Sequence, residues 1–430
     1  MSTVHVVGAG LAGLAASLGL AEAGLSVRLY EASPHAGGRC RSYFDQSLGC
    51  RIDNGNHLLI SGNTAAMDYL RRIDALDTLI GPPTAAYPFM DVATGERWTF
   101  EPNPGRIPWW MLSRKRRIPG TSLGDYLRSR LLFKSGDDAT VASALGSRDV
   151  IFERLWKPLA VAALNTETEV GAASLLRRVL AESIGQGGSA CRPLVPRVGL
   201  SESLIDPALR RLETLRADVT FGARLRAVQL AEDRAVALDF EAERVALASD
   251  DTLLLAVTAP VAQRLLPEIS TPREFRAILN AHYRWIARPD APLFVGIVGG
   301  TAEWVFRKPE VLSVTVSAAD RLMDEPAQTL AHLLWRDVAA AYGLPVEPLP
   351  PWQVVKERRA TFAATPAQLA LRPGPETHWK NVFLAGDWTD TGLPATIEGA
   401  LRSGFAAAET LTKMLESQGH GGHGGAQSKA

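Results

Sequence analysis

Residues 4–31 read VHVVGAGLAGLAASLGLAEAGLSVRLYE, and the pattern changes character three times within them. A short strand-like run, Val4 to Val7, stops at Gly8. A helical pattern fills Leu11 to Ala23, Gly24 ends it, and a second strand-like run follows from Val27 to Tyr30. The turn between strand and helix is Gly8-Ala9-Gly10-Leu11-Ala12-Gly13, a GxGxxG sequence. Alone it is weak evidence, but between a strand and a helix each glycine has a mechanical role. Gly8 makes the tight turn, Gly10 lets backbone approach a pyrophosphate, and Gly13 lets helix and strand pack closely, with the phosphates on the helix N-terminus. Glu31 ends the second strand 18 residues after Gly13, near the spacing of about 20 for a ribose-binding carboxylate. An acid there selects a free ribose diol over a 2′-phosphate. The opening of the chain therefore predicts a β-α-β dinucleotide-binding unit.

The rest of the chain is long enough for more. Its 430 residues are 46% hydrophobic and 21% charged, an ordinary globular composition that predicts two domains. The 46 basic and 46 acidic residues cancel, so no whole-molecule field draws the protein to nucleic acid, and no such partner is expected. Cys40, Cys50 and Cys191 lack metal-ligand spacing and cannot all pair, which suits a reducing compartment and predicts no metal site. The first strand begins too early to leave room for a leader, and no apolar run reaches the roughly 18 to 20 residues of a spanning helix. The expected location is cytoplasmic, with attachment to a membrane surface at most. Along the chain, residues 1–75, 190–259 and 377–415 read as one discontinuous domain. Residues 76–189 and 260–376 read as a second, and 416–430, with His420 and His423, as a disordered tail. Strand-like stretches within 215–228 and 252–258 look as though the chain rejoins the first sheet there.

Just past the first unit stands Gly37-Gly38-Arg39-Cys40-Arg41. A glycine pair followed by alternate arginines can aim backbone and guanidinium groups at one diphosphate, because the arginine fork matches phosphate oxygens. The run GAGLAGLAASLGLAEAGLSVRLYEASPHAGGRCRS resembles the N-terminal signature of the FAD-dependent amine oxidase and phytoene desaturase superfamily. Near the other end, NVFLAGDWT (381–389) followed by LPATIEGALRSG (393–404) resembles that superfamily's second flavin motif. The resemblance implies an α/β fold, a discontinuous Rossmann-type FAD-binding domain with a mixed α+β substrate domain, as in amine oxidases and GDP-dissociation inhibitors. It implies FAD as tightly bound cofactor. Its contacts would be Gly8, Gly10, Leu11, Ala12 and Gly13, then Glu31 and Ala32, then Gly38, Arg39 and Arg41, then Asn56 and His57. Leu225 would touch adenine, Gly386 and Asp387 the ribityl and phosphate region. Ala395, Thr396 and Ile397, at a helix N-terminus, would face the pyrimidine edge of the flavin, where the dipole favours negative charge.

Within the superfamily, DNGNHLLISG (53–62), WKPLAVAALNT (156–166), NAHYRW (280–285) and KERRATFAATP (356–366) are similar to the squalene-associated branch, the hydroxysqualene dehydroxylases of bacterial hopanoid synthesis. That resemblance implies reductive removal of an allylic hydroxyl, with hydride from reduced flavin and a proton from the protein. His57, His282 and Glu398 are the candidate acids, and Tyr283 and Trp285 could face the cation. Each has a plainer reading: core histidines, packed aromatics, and a glutamate serving a helix dipole. No second dinucleotide fingerprint is present, so a separate electron donor is expected. RIPWWMLSRKRRIP (106–119) joins Trp109 and Trp110 to four consecutive cations, Arg114 to Arg117, and is expected to meet a membrane surface holding the lipophilic polyprenyl substrate. The same motifs would serve a carotenoid-type desaturase. A noncatalytic prenyl-lipid binder like the Rab GDP-dissociation inhibitors shares the fold, but the intact Gly37-Gly38-Arg39 and Ala395-Thr396-Ile397 segments argue against it. Lys308 and Lys356 do not stand in the context of an amine oxidase lysine.

Overall fold

A computed structural model describes residues 2–146 and 149–421, the last four by backbone alone. Five parallel strands form the first sheet, in the order Asp218–Phe221, Ser26–Glu31, Thr3–Val7, Thr252–Leu255, Val382–Leu384. Val6 lies beside Leu29 on one side and Leu254 on the other, and Leu254 beside Phe383. Leu253, Leu254 and Leu255 are all fully buried, which is why this strand is a continuous apolar run rather than an alternating one. The helix Leu11–Glu22 buries nine of its twelve residues, because it is sandwiched between this sheet and the C-terminal helix Ile397–Gly421. A Cβ on Gly404 would overlap the carbonyl oxygen of Ala12, and one on Gly19 would come within 3.2 Å of Ala408 Cβ. The C-terminal helix runs on to Gly421. Residues 416–421, expected in a disordered tail, are therefore helical, and 422–430 lie outside the described residues.

A second sheet of seven strands has the order Trp352–Phe362, Phe275–Arg284, Val311–Val316, Trp304–Arg307, Phe294–Val298, Tyr87–Asp91, Arg97–Phe100. It is antiparallel except where Phe294–Val298 meets Tyr87–Asp91. The helix Ala327–Tyr342 buries Leu330, Leu334, Trp335 and Val338 in one cluster with Leu279, Tyr283 and Val314 of the sheet. This is the discontinuous Rossmann-type domain joined to a mixed α+β domain. Only part of the 215–228 stretch joins the first sheet. Gly222, at φ 72°, ends the edge strand at Phe221. Leu225–Ala231 instead pairs with Arg234–Phe240 in a separate three-stranded antiparallel sheet.

Trp110, expected beside Trp109 at a surface, is only 2% exposed. It packs edge-on against Phe100 and Tyr126, at centroid distances of 5.4 and 5.0 Å. Among the described residues no helix is long and apolar enough to cross a membrane. The three cysteines are free and buried.

Candidate active site

The glycine-rich turn sits where the first strand meets its helix. Gly8 has φ 106°, and a Cβ on it would overlap the Ala256 carbonyl oxygen; one on Gly13 would overlap the carbonyl oxygen of Gly8 itself. Gly10 differs. It is the helix N-cap at φ −75° and ψ 176°, and the space its Cβ would take holds no heavy atom within 4 Å. The Gly37 amide donates to the Ala9 carbonyl at 2.8 Å, and the Cβ position of Gly38 lies 3.6 Å from Gly10 Cα. Two glycine loops therefore leave a bare backbone cradle at the N-terminus of Leu11 and Ala12. Glu31 accepts from the Ala9 and Ser33 amides, both at 2.8 Å, which pins its carboxylate at one end of that cradle. The Ala223 amide donates to the Glu31 carbonyl at 2.9 Å. The loop leading to buried Leu225 is thus docked beside Glu31, with Ala32 exposed next to it.

The two ends of the chain meet at Arg39. Its guanidinium pairs with Asp387 at 2.8 Å and donates to the Ala360 carbonyl at 2.6 Å, while the side chain stays 37% exposed. Arg41 is tied through its amide, which donates to Asn54 Oδ1 at 2.9 Å. The Gly386 amide donates to Ser403 Oγ at 2.9 Å, anchoring the second motif to the C-terminal helix. Thr396 Oγ1 accepts from the Gly399 amide at 3.0 Å, capping that helix, while Ala395 and Thr396 remain partly accessible and Ile397 is buried. Sequence reasoning missed Arg372. Only 9% exposed, it donates to the carbonyls of Trp388 and Thr389 and lies 4.9 Å over the Phe362 ring, bracing the loop that presents Asp387. No motif signals it, because its partners are backbone oxygens apart from the Thr391 hydroxyl.

The segment Asp53 to His57 packs on the second sheet. Asn56 Nδ2 donates to Ser313 Oγ at 2.7 Å and Thr315 Oγ1 at 3.0 Å, and Ser313 Oγ lies 2.8 Å from His282 Nδ1. Asn56 Oδ1 and His282 Nε2 are buried with no partner among the described residues. Both residues line a cavity of about 280 Å³ that also reaches the ion pair of Lys308 and Asp53. That pair is 3.0 Å long with side chains 9% and 4% exposed. Burial pushes both His57 and His282 down to about 4, with Asp53 opposing and Lys308 adding to the shift. Burial therefore favours the uncharged form of both imidazoles at neutral pH.

Two candidate roles meet a plainer structural reading here. Tyr283 and Trp285 pack against Trp335 beneath the helix Ala327–Tyr342, and the Tyr283 hydroxyl donates to the Ala331 carbonyl at 2.7 Å. Alternation along a strand puts Tyr283 on the opposite face from His282, away from Asn56 and the cavity. Glu398 accepts from the Ala65 amide at 3.0 Å, the Ala66 amide at 2.9 Å and Arg402 at 3.1 Å. Its carboxylate caps the helix Thr64–Arg72 and has no free oxygen for substrate. Glu398→Gln should cost about 1–2 kcal/mol in unfolding free energy and leave turnover per bound flavin unchanged. A large fall in kcat with unaltered stability would restore Glu398 as an acid.

A bare glycine cradle at one helix N-terminus, an arginine held by a carboxylate beside it and a second accessible helix N-terminus offer the donors that a dinucleotide such as FAD needs. The model of the flavin containing amine oxidoreductases matches residues 11–287 and 296–412. A hydroxysqualene dehydroxylase of Rhodopseudomonas palustris is 48% identical over 95% of this chain and 98% of its own. One of Sinorhizobium fredii is 47% identical over 94% and 97%. Among solved structures, putrescine oxidase bound to putrescine superposes with a TM-score of 0.69 at 17% identity, covering 96% of this chain and 99% of that one, a likeness of fold. By its two glycine loops, its closed pair of end motifs and these matches, the chain belongs to the flavin-containing amine oxidoreductase family and is an FAD-dependent oxidoreductase.

Proposed function

We propose that the chain converts hydroxysqualene to squalene: the allylic C–O bond breaks, a proton leaves with the hydroxyl as water, and a hydride takes its place on carbon. The observation that carries this reading is the 48% identity to a hydroxysqualene dehydroxylase across essentially both whole chains. When bound, the flavin supplies the hydride. Gly8, Gly10, Gly13, Glu31, Gly38, Arg39 and Asp387 hold and orient it, and the N-terminus of the C-terminal helix at Ala395 to Ile397 favours the negative charge of its reduced form. His57 and His282 contribute by staying neutral. A cationic imidazole beside a forming allylic cation would raise the barrier, whereas a neutral one does not, and the proton that leaves with the hydroxyl is delivered to its oxygen by an acid other than a standing imidazolium. The substrate is lipophilic, which goes with attachment to a membrane surface near Trp109 and Arg114 to Arg117, and the electrons come from a separate donor, either NADPH in transient contact or another protein.

The test is a single turnover. Enzyme reduced without oxygen and mixed with hydroxysqualene in detergent should give one squalene per flavin as the oxidised flavin spectrum returns. Flavin-loaded, fully reduced enzyme that forms no squalene would sink the dehydroxylase and turn the search to desaturation of polyprenyl hydrocarbons.

A further inference from the structure

Seven large apolar side chains between residues 107 and 133 face solvent. Leu123 is 36% exposed, and Ile107, Trp109, Leu112, Leu127, Leu131 and Phe133 are each between 49% and 62% exposed. They are not loose. The short helix Trp109–Leu112 sends Trp110 inward against Tyr126 of the neighbouring helix Leu123–Arg128. Tyr126 Oη in turn accepts from the Ile118 amide at 2.8 Å. Leu132 of the following helix, Arg130–Lys134, is fully buried. The inward residues fix the backbone while their neighbours in sequence present aliphatic and indole surface outward. Such a large fixed apolar patch on a soluble face marks an interaction surface.

Charge identifies the partner. Residues 106–134 carry eight basic side chains against a single acid, Asp125, in a chain whose total charge is zero. Arg106, Arg114, Lys115, Arg130 and Lys134 are exposed with no ion-pair partner among the described residues. Arg128 is paired with Asp149 and Arg116 donates to the Glu101 carbonyl, so the free cations alternate along the sequence with the exposed apolar residues. Exposed apolar groups interleaved with unpaired cations match an anionic bilayer, with the hydrocarbon entering the headgroup boundary and the cations on phosphates.

We infer that residues 106–134 form a two-armed membrane-docking surface, in which the helices Leu123–Arg128 and Arg130–Lys134 insert alongside Trp109 and Leu112. That the partner is lipid rests on the proposed bilayer-borne substrate; the geometry of the two arms does not. Each cation contributes roughly fivefold to binding of an anionic surface, and the apolar arms bind independently of headgroup charge.

Flavin-loaded enzyme should co-sediment with phosphatidylcholine vesicles containing phosphatidylglycerol and more weakly with phosphatidylcholine alone. Leu127→Ser/Leu131→Ser/Phe133→Ser, all solvent-facing, should cut partitioning into both by roughly tenfold. Arg114→Ser/Lys115→Ser/Arg130→Ser should cut the preference for the anionic vesicles by roughly 100-fold, leaving what Arg106 and Lys134 supply. Unchanged partitioning of the triple serine variant of the helices overturns the second arm. No vesicle binding by the unaltered enzyme, with self-association that the same variant abolishes, would reassign the face to a second copy of the chain and overturn the membrane. Turnover of detergent-dispersed hydroxysqualene reads the reaction separately: vesicle binding without squalene would sink the reaction and leave the surface standing.

Discussion

Gly10→Val should give a folded protein that purifies without flavin. The backbone at Gly10, φ −75° and ψ 176°, is one any residue adopts, and no heavy atom lies within 4 Å of the position its Cβ would take. The substitution therefore places its Cβ, on an unstrained backbone, where no protein atom stands in front of the helix N-terminus. That space is where the pyrophosphate must approach the amides of Leu11 and Ala12. FAD affinity should fall by at least about 100-fold, or about 2.7 kcal/mol, with the melting temperature of the flavin-free protein within roughly 3 °C of the unaltered flavin-free chain. Gly13→Val is the control with the opposite logic. Its Cβ would overlap the carbonyl oxygen of Gly8 and come within 3.2 Å of Ala256 Cβ, so it should damage folding whether or not flavin is present. Flavin content and thermal unfolding of the two variants decide the matter. A Gly10→Val protein holding FAD at the normal ratio would remove the cradle from the binding site.

That contrast marks where sequence reading succeeds. The turn 8–13, the strand Val4–Val7 and the strand Thr252–Leu255 were legible because the constraint is local: a residue type fixes a backbone conformation, or a strand buried on both faces is apolar at most positions, His5 and Thr252 being the exceptions. The site was legible only where it is made of such constraints. Arg39 and Asp387 are recognisable within their motifs, but their 2.8 Å pairing spans 348 positions and is set by how the sheets close. Tyr283 was misplaced because strand alternation says that it and His282 face opposite ways without saying which way is inward. The helix-capping contacts of Glu398 were not legible because its partners, the Ala65 and Ala66 amides, belong to a helix more than 330 residues earlier. Trp110 shows the same limit: two adjacent tryptophans look alike in sequence, and only Phe100 and Tyr126 decide which is buried.

Replacing His282 by glutamine should flatten the acid limb of the stability curve. The side chain is 1% exposed and burial lowers it to about 4, against about 6.5 when unfolded. Between those values the unfolded chain binds a proton that the folded one refuses, so stability is full above pH 6.5 and drains away as pH falls towards 4. Two and a half units correspond to about 3 kcal/mol. His57 is lowered in the same way, and His5, whose burial outweighs its contact with Asp251, acts in the same direction. Glu303 opposes them. Burial raises it to about 7, so the folded state holds its proton and gains stability as pH falls from 7 towards 4.5. The curve of the unaltered protein is therefore a sum with mixed signs, and the informative quantity is the difference between it and His282→Gln. Whatever the variant costs at pH 7, through the lost contact with Ser313 Oγ, the gap should close by about 3 kcal/mol in the variant's favour on going to pH 4. Denaturant midpoints for both proteins at several pH values in that interval measure it. A gap independent of pH would mean that His282 is solvated through the cavity at Nε2, and that its neutrality at pH 7 owes nothing to burial.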